Sequence, residues 1–577
     1  MLYPRSMLHF RRSPMTFDLV IRGGRVVDGS GMPGFQADIA IADGRIARIG
    51  RVIEDAKRTV DAGGAVVTPG FIDVHTHYDV QLDWDPLASP SCYHGVTTVL
   101  TGNCGFTLAP ARPEDVPWLA AMLSRVEGMS KDALAEGFRF DGGSFADFWG
   151  RHEGRLGVNA GGYVGHCAVR RWVMGDDASE REATAAEIAS MQVLVRQAMR
   201  EGALGFSTSQ LDIHVGDDGR EVPSNHASAD EIIALCSVLA EFDHGAIEVI
   251  PRSFAAGYDA KDRELIHAMY RASGKPIELN ILTPTPQHPM GWQNALEFCR
   301  ESFQQGVRVH PQFTTNKLEL HLKLSDTFVF DEMPAWREVL TAPEPTRSQR
   351  LADPACRARL QAEWDDGEAR AVAFDVGELE VEAVRDERNA GWVGRTVAEL
   401  AGERGTSPLD TFLDLALEED LDTSFRTRMS DVARQFIEHI VETGVADPIV
   451  MAGSSDGGAH LASFTGADYS TRLLAEWVPA GAISLEQAVW RLAGMPATVH
   501  GLRDRGFLRV GAWADLVVFD PAQIAAGEAY LARDFPADTE RYVVDATGYR
   551  TVVVNGQVLL EDGQHTGALP GHILRGA

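Results

Sequence analysis

Ten consecutive residues, Thr68-Pro69-Gly70-Phe71-Ile72-Asp73-Val74-His75-Thr76-His77, constrain this chain more than any other stretch. An apolar, β-branched run ends there in two histidines spaced i, i+2. Alternate side chains of a strand share one face, so both imidazoles can reach a single metal ion. A lone His-x-His is weak evidence, because exposed pairs occur by chance. Placed directly after Pro-Gly-Phe-Ile-Asp it carries much more weight.

Seven further apolar runs follow the same plan. Counting the first as Val67–Val74, they are Val96–Leu100, Gly157–Val164, Ala203–Ser207, Ile247–Ile250, Pro276–Leu282, Val307–Val309 and Pro448–Ala452. Amphipathic helical patterns separate many of them, for example Ala183–Met199, Asp230–Glu241, Asp259–Ala272 and Asp431–Thr443. Eight strands with helical crossovers predict an α/β fold, a (β/α)8 TIM barrel over residues 68–506. The stretch 318–445, between strands seven and eight, is overlong, and its Pro-rich, charged centre reads as an inserted lid or subdomain.

Residues 15–67 and 507–562 share a different character, with short alternating strands broken by glycine turns. Asp18–Ile21, Arg25–Asp28, Ala37–Ala42, Arg45–Ile49 and Ala65–Val67 lie in the first segment, and Ala514–Phe519 and Thr551–Val554 in the second. Strands of this kind bury one face and need a partner, so both chain ends are expected to build one β-sandwich. Residues 1–14 are expected to be a disordered extension preceding a natural start at Met15, and 563–577 a C-terminal tail.

At 577 residues the chain is long enough for a large core, and 45% hydrophobic with 24% charged residues is a globular composition. The formal charge of −30 argues against nucleic acid and anionic membranes as partners. No apolar run approaches the roughly 20 residues that span a bilayer. Six cysteines without paired spacing fit a reducing, cytoplasmic setting rather than a disulfide framework.

In a barrel, chemistry collects at the C-terminal ends of strands. His75 and His77 end strand one, and Cys104 follows strand two in Gly102-Asn103-Cys104-Gly105. His166 follows strand three, and Asp456 follows strand eight in Gly453-Ser454-Ser455-Asp456-Gly457. Two imidazoles, a thiolate and a carboxylate suit Zn²⁺ or a similar borderline-soft ion. Such an ion acidifies bound water toward neutral pH for attack on a carbonyl, and Asp456 can carry the proton to the leaving amine. His166 reads equally as a substrate contact or a core histidine. His214, His226, His288, His310 and His460 carry weaker signals.

The segment Pro69–His77 resembles the signature of the amidohydrolase superfamily. Gly102-Asn103-Cys104-Gly105, with Gly202-Ala203-Leu204-Gly205-Phe206-Ser207-Thr208 and Gly453–Gly457, is similar to the D-aminoacylase (N-acyl-D-amino-acid deacylase) group, over about residues 16–560. The resemblance implies a metal-dependent barrel joined to a β-sandwich that hydrolyses N-acyl amino acids or related amides. It further implies that His75, His77 and Asp456 hold a first metal, that Cys104 faces or bridges a second, and that Asp456 doubles as acid–base.

Two positions depart from that pattern. The group carries a histidine at the ends of strands five and six, where this chain has Ile250 and Ile281. Isoleucine cannot ligate a metal, so one zinc is expected rather than two. Asn280 and His310 are the nearest polar substitutes, and Arg252 is a candidate for a substrate carboxylate. The partner expected is a small-molecule amide, and a homo-oligomer is compatible with the sequence.

Other readings remain open at this point. A cyclic amide or carbamate substrate would suit the same superfamily, and a degenerate, non-catalytic barrel would explain the two isoleucines. Gly453–Gly457 also matches the Gly-x-Ser-x-Gly serine elbow, for which Asp520 and His565 follow in the right order.

Overall fold

The computed structural model describes residues 16–576 apart from 284–287, 314, 316–318, 326, 328, 367–373, 429–436 and 440–442. The extension expected over 1–14 and most of the helix expected over 431–443 lie outside the described residues.

Eight strands form the barrel: β1 (Phe71–Asp73), β2 (Val96–Thr101), β3 (Asn159–Gly162, resuming after Tyr163 as Val164–Gly165), β4 (Gly205–Ser209), β5 (Ala246–Ile250), β6 (Ile277–Leu279), β7 (Val309–Phe313) and β8 (Met451–Ala452). Each pairs in parallel with the next. The ring closes just past the strand ends, where Thr76 bridges Gly457 in parallel and the His77 N–H donates to the Gly457 carbonyl at 2.8 Å. Such a TIM-barrel fold brings the residues that follow all eight strands to one rim.

The helices between strands begin where the sequence supplies caps. Thr184 and Glu187 form a capping box for the helix Ala185–Arg200, and Asp259 accepts from the N–H groups of Lys261 and Asp262 to start Ala260–Ser273. Each such cap contributes about 1 kcal/mol. The pattern expected over 230–241 is a helix Ala229–Ser237 that tightens into a 3-10 turn over Val238–Glu241.

Three strand expectations need correction. The run Val67–Val74 is two strands divided at Gly70, with Val66–Pro69 in another sheet and β1 in the barrel. A Cβ at Gly70 would lie 2.1 Å from the Thr97 hydroxyl, so only glycine lets the chain cross here. Asp18–Ile21 and Arg25–Asp28 merge into one strand, Phe17–Val26, with a bulge between Ile21 and Gly24. Strand seven runs later than the apolar pattern indicates, because His310, Pro311 and Gln312 interrupt that pattern without interrupting the pairing.

Strands from both chain ends share one nine-stranded sheet, in which Val66–Pro69 pairs antiparallel with Leu516–Phe519. Alternation along Leu516–Phe519 serves two cores. Leu516 and Val518 pack with Leu19, Ile21, Ile39 and Ile41, while Val517 and Phe519 face the main barrel core. The exposed strand Ala56–Asp61 gave no apolar signal and pairs in parallel with Phe17–Val26.

Residues 571–576 are not a free tail. The Gly571 and Leu574 N–H groups donate to Leu156 and Ala160 at 2.7 Å, and Gly576 reaches the Gly202 carbonyl at 3.1 Å. They fill the gap left where the first half of β3 does not pair with β4. Between β7 and β8 the chain builds a separate core around Phe330, Trp336, Phe412 and Phe425, with Phe330 and Trp336 stacked at 4.5 Å. No helix among the described residues is long and apolar enough to cross a membrane.

Candidate metal centre

β1 delivers His75 and His77 to the rim with both side chains buried. The His75 Nε2 lies 3.5 Å from the Cys104 Sγ and 3.2 Å from Asp456 Oδ1, and the His77 Nε2 lies 3.8 Å from the same oxygen. The ligand atoms of His75, His77 and Cys104 all fall within 4.8 Å of one another, the one such group of metal-ligating side chains among the described residues. Residues that follow β1 and β2 thus bring two nitrogens and a sulfur to one point, and Asp456, after β8, sets an oxygen beside the two nitrogens.

Backbone conformation confirms how tightly these side chains are aimed. Cys104, Ser454, Asp456 and His460 all hold positive φ, between 50° and 62°, without being glycine. Each costs about 1–3 kcal/mol and persists only where the surroundings impose it. Cys104 is pinned by its own N–H, which donates to Glu248 Oε2 at 2.7 Å. The Ser455 hydroxyl donates to Asp73 at 2.6 Å and accepts from the Gly457 N–H at 2.9 Å, which shapes the turn that carries Asp456.

Among the described residues, burial sets the electrostatics of the site. Burial pushes Asp456 up to about 7 and holds the Cys104 thiol well above its usual range, with Glu248 adding to the effect on Cys104. Burial also raises Glu127 and Glu248 far above ordinary carboxylates, and pulls His75 down to about 4 and His77 well below the usual imidazole range. Among the described residues the only ion-pairing partners of Asp456, Glu127 and Glu248 are histidines. Neutral imidazoles beside acids that no side-chain cation balances fit a divalent ion of zinc's donor preference.

Not every candidate reaches this point. Asn280 does: its Nδ2 sits 3.3 Å from His75 Nε2 and 3.9 Å from Cys104 Sγ, and its Oδ1 accepts from Ser454 at 2.6 Å. His166 does not, because both its ring nitrogens are occupied in the core, by Thr208 at 2.8 Å and Glu231 at 2.9 Å. His310 bonds the Ile449 carbonyl and packs edge-on against Phe303, so strand seven presents Gln312 to His75 instead. Arg252 is half-exposed and paired with Asp212 at 2.5 Å. Ile250 is buried in the barrel core.

Several residues at the site were not singled out from sequence. Glu127, just past the helix Val116–Val126, lies 3.4 Å from the His77 Nδ1 and 3.7 Å from the His460 Nε2. Gln312 and Glu248 sit behind His75 and Cys104. Their apolar-looking strands, Ala-Ile-Glu-Val-Ile for Glu248, held the one available signal, a charged residue inside a buried run. His214 and His460 line a cavity of about 90 Å³ with Arg125, Val329, Asp331 and Glu332.

The serine-elbow reading fails on geometry. Ser455 has no imidazole partner, Asp520 pairs with Arg550, and His565 bonds the Ala568 carbonyl.

Residues 58–560 match the sequence pattern of the amidohydrolase family. A D-aminoacylase of Alcaligenes xylosoxydans xylosoxydans is 31% identical over 567 residues, covering 97% of each chain. The N-acyl-D-glutamate deacylase of Bordetella bronchiseptica, solved with zinc and a phosphonate mimic of the tetrahedral intermediate, is 26% identical and superposes with a TM-score of 0.66 over 97% of this chain and all of its own. A D-aminoacylase with a binuclear metal centre, described as showing one-metal activation and second-metal attenuation, is 27% identical with the same TM-score and coverage.

Proposed function

The chain belongs to the amidohydrolase family, and from that membership we propose a metal-dependent hydrolase that cleaves the linear amide bond of an N-acylated amino acid or a related small amide. One observation carries the reading: the donor atoms of His75, His77 and Cys104 converge at a buried point, with Asp456 Oδ1 3.2 Å and 3.8 Å from the two histidines, and the only ion-pairing partners of Asp456 among the described residues are histidines. These residues would hold one zinc ion, because Ile250 and Ile281 offer nothing to a second.

When bound, the ion acidifies water and polarises the scissile carbonyl. The rest falls to the chain's own side chains. An Asp456 carboxylate oxygen takes a proton from the attacking water and returns it to the amine nitrogen as the carbon–nitrogen bond breaks. The products are a carboxylic acid and a free amine. Asp456 suits this task by position, with Oδ1 3.2 Å from His75 Nε2 and 3.8 Å from His77 Nε2 while its side chain stays a quarter exposed.

The finer architecture belongs to the same reading. Residues 15–67 with 507–562 act as a β-sandwich unit beside the barrel of 68–506, and 318–445 as its lid. Support for the lid comes from Asp331, which pairs with Arg125 and shares the cavity wall with His214 and His460.

The test is metal content per chain, measured with hydrolysis of N-acetyl D- and L-amino acids. About one equivalent, lost with activity in His75→Ala and Cys104→Ala, is the expected result. A metal-free protein, or hydrolysis that survives both substitutions and a chelator, overturns the proposal.

A further inference from the structure

Behind His75 a line of buried polar groups leads away from the donor cluster. His75 Nδ1 is 3.0 Å from Gln312 Oε1, and Gln312 Nε2 is 3.0 Å from Glu278 Oε2. On the far side, Glu278 Oε1 is 2.7 Å from His500 Nε2 and 3.3 Å from the Tyr163 hydroxyl. Tyr163, Glu278, Gln312 and His500 are all at most 1% exposed, so bulk water does not complete these bonds.

The directions of the bonds that reach His75 follow from their chemistry. The Pro496 carbonyl can only accept, so His500 donates to it from Nδ1 at 2.9 Å. Burial works against a charge on His500, yet the field of Glu278 and their hydrogen bond outweigh it and raise His500. The His500 Nε2–H therefore faces both Glu278 Oε1 and the Tyr163 hydroxyl, each at 2.7 Å, and the Tyr163 hydroxyl donates on to the same Glu278 oxygen at 3.3 Å. A carboxylate only accepts, so the Gln312 amide must turn its NH₂ toward Glu278 and its carbonyl toward His75. That carbonyl requires a proton on His75 Nδ1, and Nε2 keeps its lone pair facing Cys104 and Asp456.

We propose that Glu278 is a positioning residue that, through Gln312, fixes His75 in the Nδ1–H tautomer and so aims the Nε2 lone pair at the metal position. The inference rests on the metal-centre reading above. It goes beyond that reading by placing control of a ligand two side chains away, in a residue that touches neither metal nor substrate. His77 differs, because its Nδ1 lies 3.4 Å from Glu127 Oε1 without a hydrogen bond to it.

The experiment compares full-length wild type, Glu278→Gln, Gln312→Leu and the exchange Glu278→Gln/Gln312→Glu. It measures zinc affinity by chelator competition and the ring-nitrogen shifts of His75 in metal-free protein. An amide at 278 lets Gln312 flip, so affinity is expected to fall about 10–100-fold in Glu278→Gln, as it does when outer-shell partners of a ligand are lost. The exchange restores polarity, with an NH₂ at 278 donating to a carboxylate at 312 that accepts from Nδ1. Recovery of affinity and of the Nδ1–H signature in the exchange is the expected result.

Wild-type affinity in Glu278→Gln, or an exchange variant no better than the single one, overturns the proposal. Should Glu278→Gln fail to fold, Gln312→Leu leaves the Glu278–His500 pair intact, and wild-type affinity there overturns it equally. A wild-type protein that binds no zinc sinks the metal centre alone. The tautomer shifts then decide this inference, which stands if Glu278→Gln moves them and falls if it does not.

Discussion

One half of the barrel rim carries the cluster of histidine and thiol donors, and among the described residues the ends of β5 and β6 add no histidine or cysteine to it. β1 and β2 lead to His75, His77 and Cys104, whose donor atoms lie within 4.8 Å of one another, and β8 leads to Asp456, which lies 3.2 Å and 3.8 Å from the two histidines. β5 ends at Ile250, and Ile281 lies just beyond β6, yet buried carboxylates sit within those same strands at Glu248 and Glu278. The blank half therefore still serves the site from below, by holding Cys104 and orienting Gln312. A barrel rim can lose direct ligands on one side while the supporting layer beneath them stays polar and fully buried.

The largest effect should come from the donor half. Asp456→Asn keeps the shape and a weak ligand but cannot carry a proton. Turnover per bound metal is expected to fall about 10²–10⁴-fold. Rates within tenfold of wild type would show that the acid–base is elsewhere, and Glu127 would be the next residue to test.

The blank half offers a gain rather than a loss. Ile250→His with Ile281→His should raise the metal content from about one to about two equivalents, at a stability cost of about 1–3 kcal/mol for the buried imidazoles. Stoichiometry that stays at one would mean that the two halves differ by more than these two side chains. Metal analysis and thermal unfolding of the same sample read both quantities.

The smallest effect sharpens the electrostatic side of the comparison. Burial raises the rim acids, whereas Glu382 is drawn down to about 2, because the bonds from His321, Tyr542 and Ser424 outweigh its burial. A carboxylate lowered by its folded environment stabilises above its ordinary value of 4.5, and that contribution disappears as pH falls from there toward 2. Glu382→Gln is expected to lower the melting temperature at pH 7 and to flatten this acid limb, with the metal content unchanged. An acid limb identical to wild type would remove Glu382 as the counterexample.

The barrel and its donor residues were legible because they obey periodic and positional rules. Apolar runs mark parallel strands buried on both faces, and His75, His77, Cys104 and Asp456 follow strand ends, where a barrel concentrates chemistry. The supporting layer was not legible. Glu127 is a residue past the end of a helix, Gln312 hides behind Pro311, and nothing local tells which rim group a strand carboxylate will face. His166, which reads equally as a substrate contact or a core histidine, stayed open for the converse reason. A histidine at a strand end has the right address, but Thr208 and Glu231, 42 and 65 residues further along, take both of its nitrogens. Residues 571–576 carry little apolar pattern because their role is made by backbone bonds to Leu156, Ala160 and Gly202.

The shared sheet of the two chain ends also sets a timetable. Val67 emerges from the ribosome about 450 residues before its partner Val518, an interval of roughly 20–90 s at ordinary synthesis rates. Through that interval Leu19, Ile21, Ile39 and Ile41 lack the strand that will cover them, while the barrel helices and strands are being made in between. Maturation of this protein is thus a race between late closure and premature association of its first fifty residues, decided after translation and open to chaperones that shield apolar nascent strands.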